Sequence, residues 1–448
     1  MASLHPDAWT SERVKDIALK ISSGVTPDGG AAGYLDAGIP LLRSQNIHFD
    51  GLNLDDVAFI DAETHASMKG SQLKPKDILI NITGASIGRC TFVPVDFGEG
   101  NVNQHVCFIR GNHQINFRFL AAFLSSPIGQ GSVLSTFTGA SRQGLSHKDL
   151  GLICIPLPPL SEQIRIAAYL DASCAAVDAA VNAKKKQLDA LTALRKTLTL
   201  RSFTKCKKPN IQLKDSGIES IGMIPEHWQV KQIRYACQVN YGITLQLEKG
   251  QTQGDGVRIL TVSNVSIDGK LDLEDEYYID PALLVRDDYL QKEDLLFNWR
   301  NGSQYHVGKT AHFDLDGEFT HVSFLLRIRC SRHLDSKFMS NYLGVLKDAG
   351  FFSGSKDKVN KTFNSTELKR LRVIIPTLDE QREICREIEE HTRKITELKN
   401  SIESQIATLI DYRKSLIHEC VTGQRRISEA DVAKVERTLE QAAGLPQQ

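Results

Sequence analysis

The chain has 448 residues, 41% of them hydrophobic, which is enough for two to four domains with ordinary buried cores. Lys plus Arg and Asp plus Glu number 54 each, so the net charge is zero and a protein that grips a polyanion by bulk charge alone is excluded. Nine cysteines with no C-x-x-C pair argue against a disulfide framework or zinc site and for a reducing cytoplasm, while the absence of a leader core or a bilayer-length apolar run predicts a soluble protein.

In chain order, residues 1–158 read as a compact α+β unit. Short β-rich runs such as Asp77 to Ile82 alternate with Gly, Asp and Asn turns, and a helix is predicted from Phe117 to Leu124. A long helix then opens at Leu160-Ser161-Glu162-Gln163 and fills 159–204, with Pro158 ending the incoming strand, Ser161 as the expected N-cap and Glu162 suiting the positive helix end. Leu170, Val177, Lys184, Leu191 and Leu198 recur every seven residues along it, with Leu194 in a companion row three residues after Leu191. Residues 161–208 carry ten basic and four acidic side chains, the one clearly basic stretch.

The link from Thr204 to Ile224 reads as an irregular connector, and 205–376 as connector plus a second α+β unit with a helix from Lys337 to Leu346. A second long helix, 377–423, opens at Leu378-Asp379-Glu380-Gln381 with Asp379 as expected N-cap. Its seven-residue row is Ile388, Ile395, Ile402, Leu409 and Leu416, with Leu398 and Tyr412 as companions; Ile406 and Val181 widen the two stripes. In the 424–448 tail, Ser428 to Leu439 reads as a short exposed helix.

The two halves repeat. Pro6-Asp7-Ala8-Trp9 answers Pro225-Glu226-His227-Trp228, and Asp50-Gly51 answers Asp268-Gly269. Asp77-Ile78-Leu79-Ile80-Asn81 answers Asp294-Leu295-Leu296-Phe297-Asn298, and His105-Val106-Cys107-Phe108 is matched to His321-Val322-Ser323-Phe324. A helix of about 40 residues is a rod on the order of 60 Å long, which a small domain cannot cover, so each long helix is expected to zip against the other. A 21-residue connector would have to stretch at about 3.3 Å per residue to return along a parallel pair, so an antiparallel coiled coil is expected.

Signatures of catalysis are missing. Gly302 to Thr310 has five residues between its glycines and leads into a strand, so it is a sheet turn rather than a phosphate loop; Gly84 to Arg89 reads the same way. There is no Asp-Pro-Pro-Tyr or Asn-Pro-Pro-Tyr, H-E-x-x-H or G-x-S-x-G. His105 and His321 read as satisfied core residues, and Glu274-Asp275-Glu276 as a solvated turn. What remains are polar loops with base-reading chemistry: Arg43, Ser44, Gln45 and Thr83, then Arg142 and Gln143, in the first half. The second half offers Ser263, Trp299, Arg300 and Asn301, then Lys356, Lys358 and Asn360. Arg forks onto guanine and Asn or Gln onto adenine, while Lys and Ser hold phosphates. Asn46 and Asn264 read instead as turn formers. The other class of function open to such a chain is a coiled-coil scaffold bridging two ligands or proteins with no nucleic acid.

Two globular units alternating with helices that open on Pro156 to Gln163 and Ile375 to Gln381, together with Ile224-Pro225-Glu226-His227-Trp228 and Val421-Thr422-Gly423, resemble the specificity subunit of a type I restriction-modification system. The resemblance spans almost the whole chain. It implies that each globular unit is a target-recognition domain reading one half of a split, asymmetric site on double-stranded DNA, and that the helices dock two methyltransferase subunits. It implies further that two ATP-driven restriction subunits can join, with S-adenosylmethionine, ATP and magnesium belonging to those partners and adenine as the methylated base.

Overall fold

The structure, a computed structural model, describes residues 9–27, 30–135, 144–204, 211–244, 256–301, 306–353 and 361–442. The chain divides into two compact units, Met1–Lys185 with Glu403–Gln448 and Lys186–Ile402. Each unit therefore holds one globular part and one half of each long helix.

In the first unit β1 (Thr10–Arg13) leads to β2 (Ala18–Ser23), β3 (Ile39–Leu42), β4 (Ala58–Ile60), β5 (Ile78–Asn81), β6 (Cys90–Phe92), β7 (Asn101–Val102) and β8 (Val106–Gly111). Helix α1 (Phe117–Ser125), strand β9 (Cys154–Leu157) and the first long helix, α2 (Leu160–Thr204), follow. The main sheet has the order β2-β8-β5-β6, a second has β4-β3-β7 with β3 and β7 parallel, and β1 pairs with β9.

The second unit repeats this plan with β10 (Gln229–Gln232), β11 (Cys237–Tyr241), β12 (Val257–Leu260), β13 (Tyr278–Ile279), β14 (Leu295–Asn298), β15 (Thr310–His312), β16 (Phe319–His321) and β17 (Leu325–Cys330). Then come α3 (Ser336–Asp348), β18 (Arg372–Ile375), the second long helix α4 (Leu378–Val421) and α5 (Glu429–Ala442), the last of which belongs to the first unit. The sheets are β11-β17-β14-β15 and β13-β12-β16, with β12 and β16 parallel, and β10 pairs with β18. The fold is thus one α+β plan used twice, each time joined to two long helices.

A buried ion pair sets the register in both units. Asp77, just before β5, accepts Arg110 through Nε at 2.8 Å and Nη2 at 2.6 Å; Asp294, just before β14, accepts Arg329 through both nitrogens at 2.7 Å. Each aspartate also caps its own turn by accepting from the backbone N–H of Lys74 or Gln291, both at 2.8 Å. Lys76 and Glu293, at φ 74° and 73°, make the same left-handed bend. This equates Val106 with Leu325 and corrects the match drawn between His105 and His321. Phe324 is the counterpart of His105, and His321, on parallel strand β16, is the counterpart of Val102 on β7. The His-Val-x-Phe strings coincide in letters but not in the ladder.

The helix starts are built around their glutamines. Gln163 is fully buried; its Oε1 accepts from the Asn116 N–H at 2.7 Å, and its Nε2 donates to the carbonyls of Gln114 and Pro158 at 2.9 and 2.8 Å. Gln381 does the same with Asp335 N–H, His333 and Pro376 at 2.7, 3.0 and 2.9 Å. Neighbouring glutamates hold the entry strands: Trp9 donates to Glu162 at 3.1 Å, and His227 bonds Glu380 at 2.8 Å. The expected N-caps Ser161 and Asp379 lie inside the first turn, because the helices begin at Leu160 and Leu378; in the second, Thr377 and Glu380 form the cap, the Thr377 N–H donating at 3.0 Å.

Within each unit the helix halves run antiparallel. In the first, Asp178 meets Arg413 at 3.5 Å and Lys184 donates to Gln405, one residue number rising as the other falls. In the second, Lys399 donates to Thr192 at 2.6 Å, and Phe203 shares a core with Ile384, Cys385 and Ile388. In the main row Leu170, Val177, Ile388, Ile395 and Leu416 are buried, and Leu191, Leu198, Ile402 and Leu409 half-buried. The companion row is corrected. Leu194, Leu398 and Tyr412 are 46%, 53% and 50% exposed, and the second seam row lies four residues on rather than three. Its members are Val181, Leu188, Lys399, Ile406 and Arg413. Lys and Arg fill seam positions there by laying their stems along it and tying off their charges on Thr192 and Asp178.

Two segments are more ordered than expected. The connector from residue 211 onward is a hairpin, Leu213–Asp215 against Met223–Pro225, with Ile218, Ile221 and Ile224 in the second core. The tail is docked as well: Ile427 is buried, Val432 and Val435 pack on the first core, and Arg426 reaches Glu162 at 2.7 Å with its guanidinium 5.8 Å from the Trp9 ring.

Ile395→Ala should cost about 2–4 kcal/mol in urea unfolding and Leu398→Ala less than about 0.5 kcal/mol; equal costs would put the seam in the wrong phase. Burial alone would raise the Glu380 carboxyl, but bonds from His227 and Thr377 outweigh it and hold it below the usual range. Its folded pKa thus lies under the unfolded value of about 4.3, and the anchor's full contribution is present above that pH and lost as pH falls through the folded value. The stability gap between wild type and Glu380→Gln should be widest above about pH 5 and close on acidification; a gap unchanged by pH would contradict the assignment.

Candidate nucleic-acid interface

In each unit the loop after the first strand of the small sheet meets the loop after the central strand of the main sheet. β3 ends at Leu42 and the chain turns on Asn46, whose Oδ1 accepts from Arg43 N–H at 2.9 Å and whose Nδ2 donates to the Asn53 carbonyl at 2.9 Å. Asn264 builds the same turn after β12, accepting from Thr261 N–H and donating to the Asp272 carbonyl, both at 2.8 Å. Both asparagines are buried turn formers, as expected.

The first-half candidates divide. The Arg43 guanidinium is half-buried, donating to the Asp56 carbonyl at 2.9 Å and lying 5.6 Å from the Tyr34 ring, while Gln45 donates to the Asp56 carboxylate at 2.5 Å. These two side chains brace the Asp56 turn. The Ser44 backbone carbonyl accepts from Asn81 Nδ2 at 2.8 Å, which ties its loop to the end of β5. Beyond Asn81, Thr83 bonds His105 Nδ1 at 2.6 Å, and exposed Gln104 bonds His105 Nε2 at 3.1 Å. His105 is therefore no core residue; it stands half-buried at the rim with both ring nitrogens engaged. Arg142 and Gln143 lie outside the described residues.

In the second half, Ser263 is exposed and its hydroxyl bonds Thr261 at 2.8 Å. Trp299 is half-buried, its Nε1 donating to the Ser323 carbonyl at 2.7 Å and its ring edge-on to Tyr241 at 5.5 Å. Next to it Arg300 is exposed, its guanidinium 5.7 Å from the ring of Phe324, which is 47% exposed. The backbones of Arg300 and Asn301 pair with Thr362 and Lys361. Lys356, Lys358 and Asn360 lie outside the described residues, as do residues 302–305 of the loop read as a sheet turn.

The ladder equates Asn81 with Asn298, and hence Thr83 with Arg300 and His105 with Phe324. The same two backbone positions thus carry a hydrogen-bonded Thr–His pair in one unit and an Arg stacked on a Phe in the other. The rim placement of His105 and Phe324 was hidden in the sequence because the mismatched strings equated His105 with His321 and read both as core, and Gln104 carries no signal of its own there.

Two other polar groupings are structural. His321 is buried, and desolvation, then the nearby Arg327, pushes it down to about 3 against a smaller opposing contact with the Asn240 backbone, so it stays neutral and is a core residue. In the His312–Glu293–Ser336 cluster both partners bond the same ring nitrogen, Nε2, at 3.0 and 2.9 Å, so the imidazole cannot relay a proton from serine to carboxylate and instead pins the start of α3.

The family model for the type I restriction modification DNA specificity domain matches the chain twice, over residues 7–190 and 225–408, and the chain belongs to that family. It is 23% identical over 436 residues to the type I restriction enzyme EcoKI specificity subunit of Escherichia coli (strain K12), covering 94% of this chain and 89% of that one. It is 23% identical over 437 residues to the StySPI specificity subunit of Salmonella potsdam, with the same coverage. Among solved structures, the HsdS subunit from Thermoanaerobacter tengcongensis matches with a TM-score of 0.52 at 16% identity, over 94% of this chain and 98% of that one. A chain from a structure of type I R-M system assembly and conformational transition matches with a TM-score of 0.71 at 17% identity, over 93% and 98%. Among the described residues no helix is long and apolar enough to cross a membrane.

Proposed function

We propose that this chain is the non-catalytic DNA-sequence-recognition subunit of a type I restriction-modification complex, in which each globular part reads one half of a bipartite, asymmetric site. The observation that carries the reading is the repeated rim position. A common scaffold presents Thr83 with His105 in one unit and Arg300 with Phe324 in the other, so one geometry meets DNA with two chemistries. The near-zero net charge suits a subunit that holds DNA only when basic partners close around it.

The long helices would dock two methyltransferase subunits, through flanks where Leu194 and Leu398 in one unit and Ile410 and Tyr412 in the other stand exposed. Two restriction subunits would join the same cytoplasmic assembly. S-adenosylmethionine, ATP and magnesium would be bound by those partners, with adenine as the methylated base.

The test is methylation by the complex of oligonucleotides varied one base at a time. Arg300→Ala should lose discrimination at one base pair of one half-site, by about 1–3 kcal/mol if the contact is bidentate, and leave the other half unchanged. His105→Ala should act on the opposite half. Loss spread evenly over both halves, or no change in either, would reject the assignment.

A further inference from the structure

Cys237 and Cys330 face each other across β11 and β17, partners in register in an antiparallel ladder, with their sulfurs 3.8 Å apart. The flanking backbone bonds, Ser331 N–H to the Ala236 carbonyl and Gly242 N–H to the Leu325 carbonyl, fall on the alternate pairs, so the cysteines occupy a non-hydrogen-bonded pair. There side chains lie closest across a sheet, with Cα atoms about 4.5 Å apart, within the range a disulfide spans. Closing to a bond of about 2.05 Å needs side-chain rotation rather than a shift of the strands.

Both residues are half-buried at the edge of the second core, which leaves solvent access. Among the described residues no other two thiols are hydrogen-bonded. In the first unit the equivalent pair is Ala18 opposite Gly111, so the feature belongs to one recognition unit and not to the repeated scaffold.

We propose that Cys237 and Cys330 form a reversible disulfide on exposure to a hydroperoxide. The sulfur of one cysteine attacks a peroxide oxygen, giving a sulfenic acid and releasing water. The other sulfur then attacks the sulfenic sulfur, forming the S–S bond, while its proton and the hydroxyl leave as a second water. Two thiols lose two protons and two electrons, and hydrogen peroxide becomes two waters. A dithiol reductant reverses the step by exchange. The contact with Cys237, then burial, raises the Cys330 thiol above its usual range, so Cys330 is a neutral thiol in the reduced chain.

The cross-link would close a loop between residues 93 apart and staple β11 to β17. At its far end β11 carries Tyr241, which supports the Trp299 ring.

The test treats the full chain, purified reduced, with hydrogen peroxide, blocks free thiols by alkylation and maps peptides by mass spectrometry. A Cys237–Cys330 linked peptide that dithiothreitol abolishes is expected, with a melting temperature raised by about 5 °C in the oxidised wild type and unmoved in Cys237→Ser and Cys330→Ser. Recovery of both cysteines as alkylated thiols or as separate sulfinic acids, or their linkage to other cysteines, would overturn the proposal.

Discussion

A glutamine with no access to water joins each globular part to its long helix. Gln163 and Gln381 spend their whole amide on backbone groups of two segments at once, the loop before α1 or α3 and the proline hinge before the helix. A buried amide left unsatisfied costs about 1–3 kcal/mol per group, so these bonds fix how the helix leaves the sheet. Glu162 and Glu380 extend the joint to the entry strands through Trp9 and His227, and in the first unit the C-terminal segment joins as well through Arg426. The sheets and the loops at their rim are carried on that joint.

On such a support, equivalent backbone positions of the two units carry different side chains. Buried Asp–Arg pairs and turn-forming asparagines are the same in both units, whereas the rim pair changes from a hydrogen-bonded Thr and His to an Arg on a Phe. Arg43 and Gln45, attractive as base readers from their chemistry, both bond Asp56. The division between what holds the loops and what faces outward is therefore sharper in three dimensions than residue type alone suggests.

Much of this was legible in the order of residues. The duplication, the two long helices, the seven-residue row and the role of Asn46 and Asn264 all follow from spacing and turn chemistry. The phase of the second seam row did not, because Leu194, Leu398 and Tyr412 look more like seam than Lys399 and Arg413, and only the partners on the facing helix show which set is tied off. The equivalence of His105 and Phe324 was hidden for a related reason: identical letters outweighed a ladder register that only the strands reveal. The glutamines' task was equally invisible, since their partners are backbone groups distant in sequence.

If one scaffold carries two unlike readers, a map of the adenines methylated in DNA treated with the proposed complex will show a single motif of two blocks with different sequences separated by unspecified bases. One uninterrupted block, or two blocks that are copies of each other, would mean that the two units do not read DNA differently.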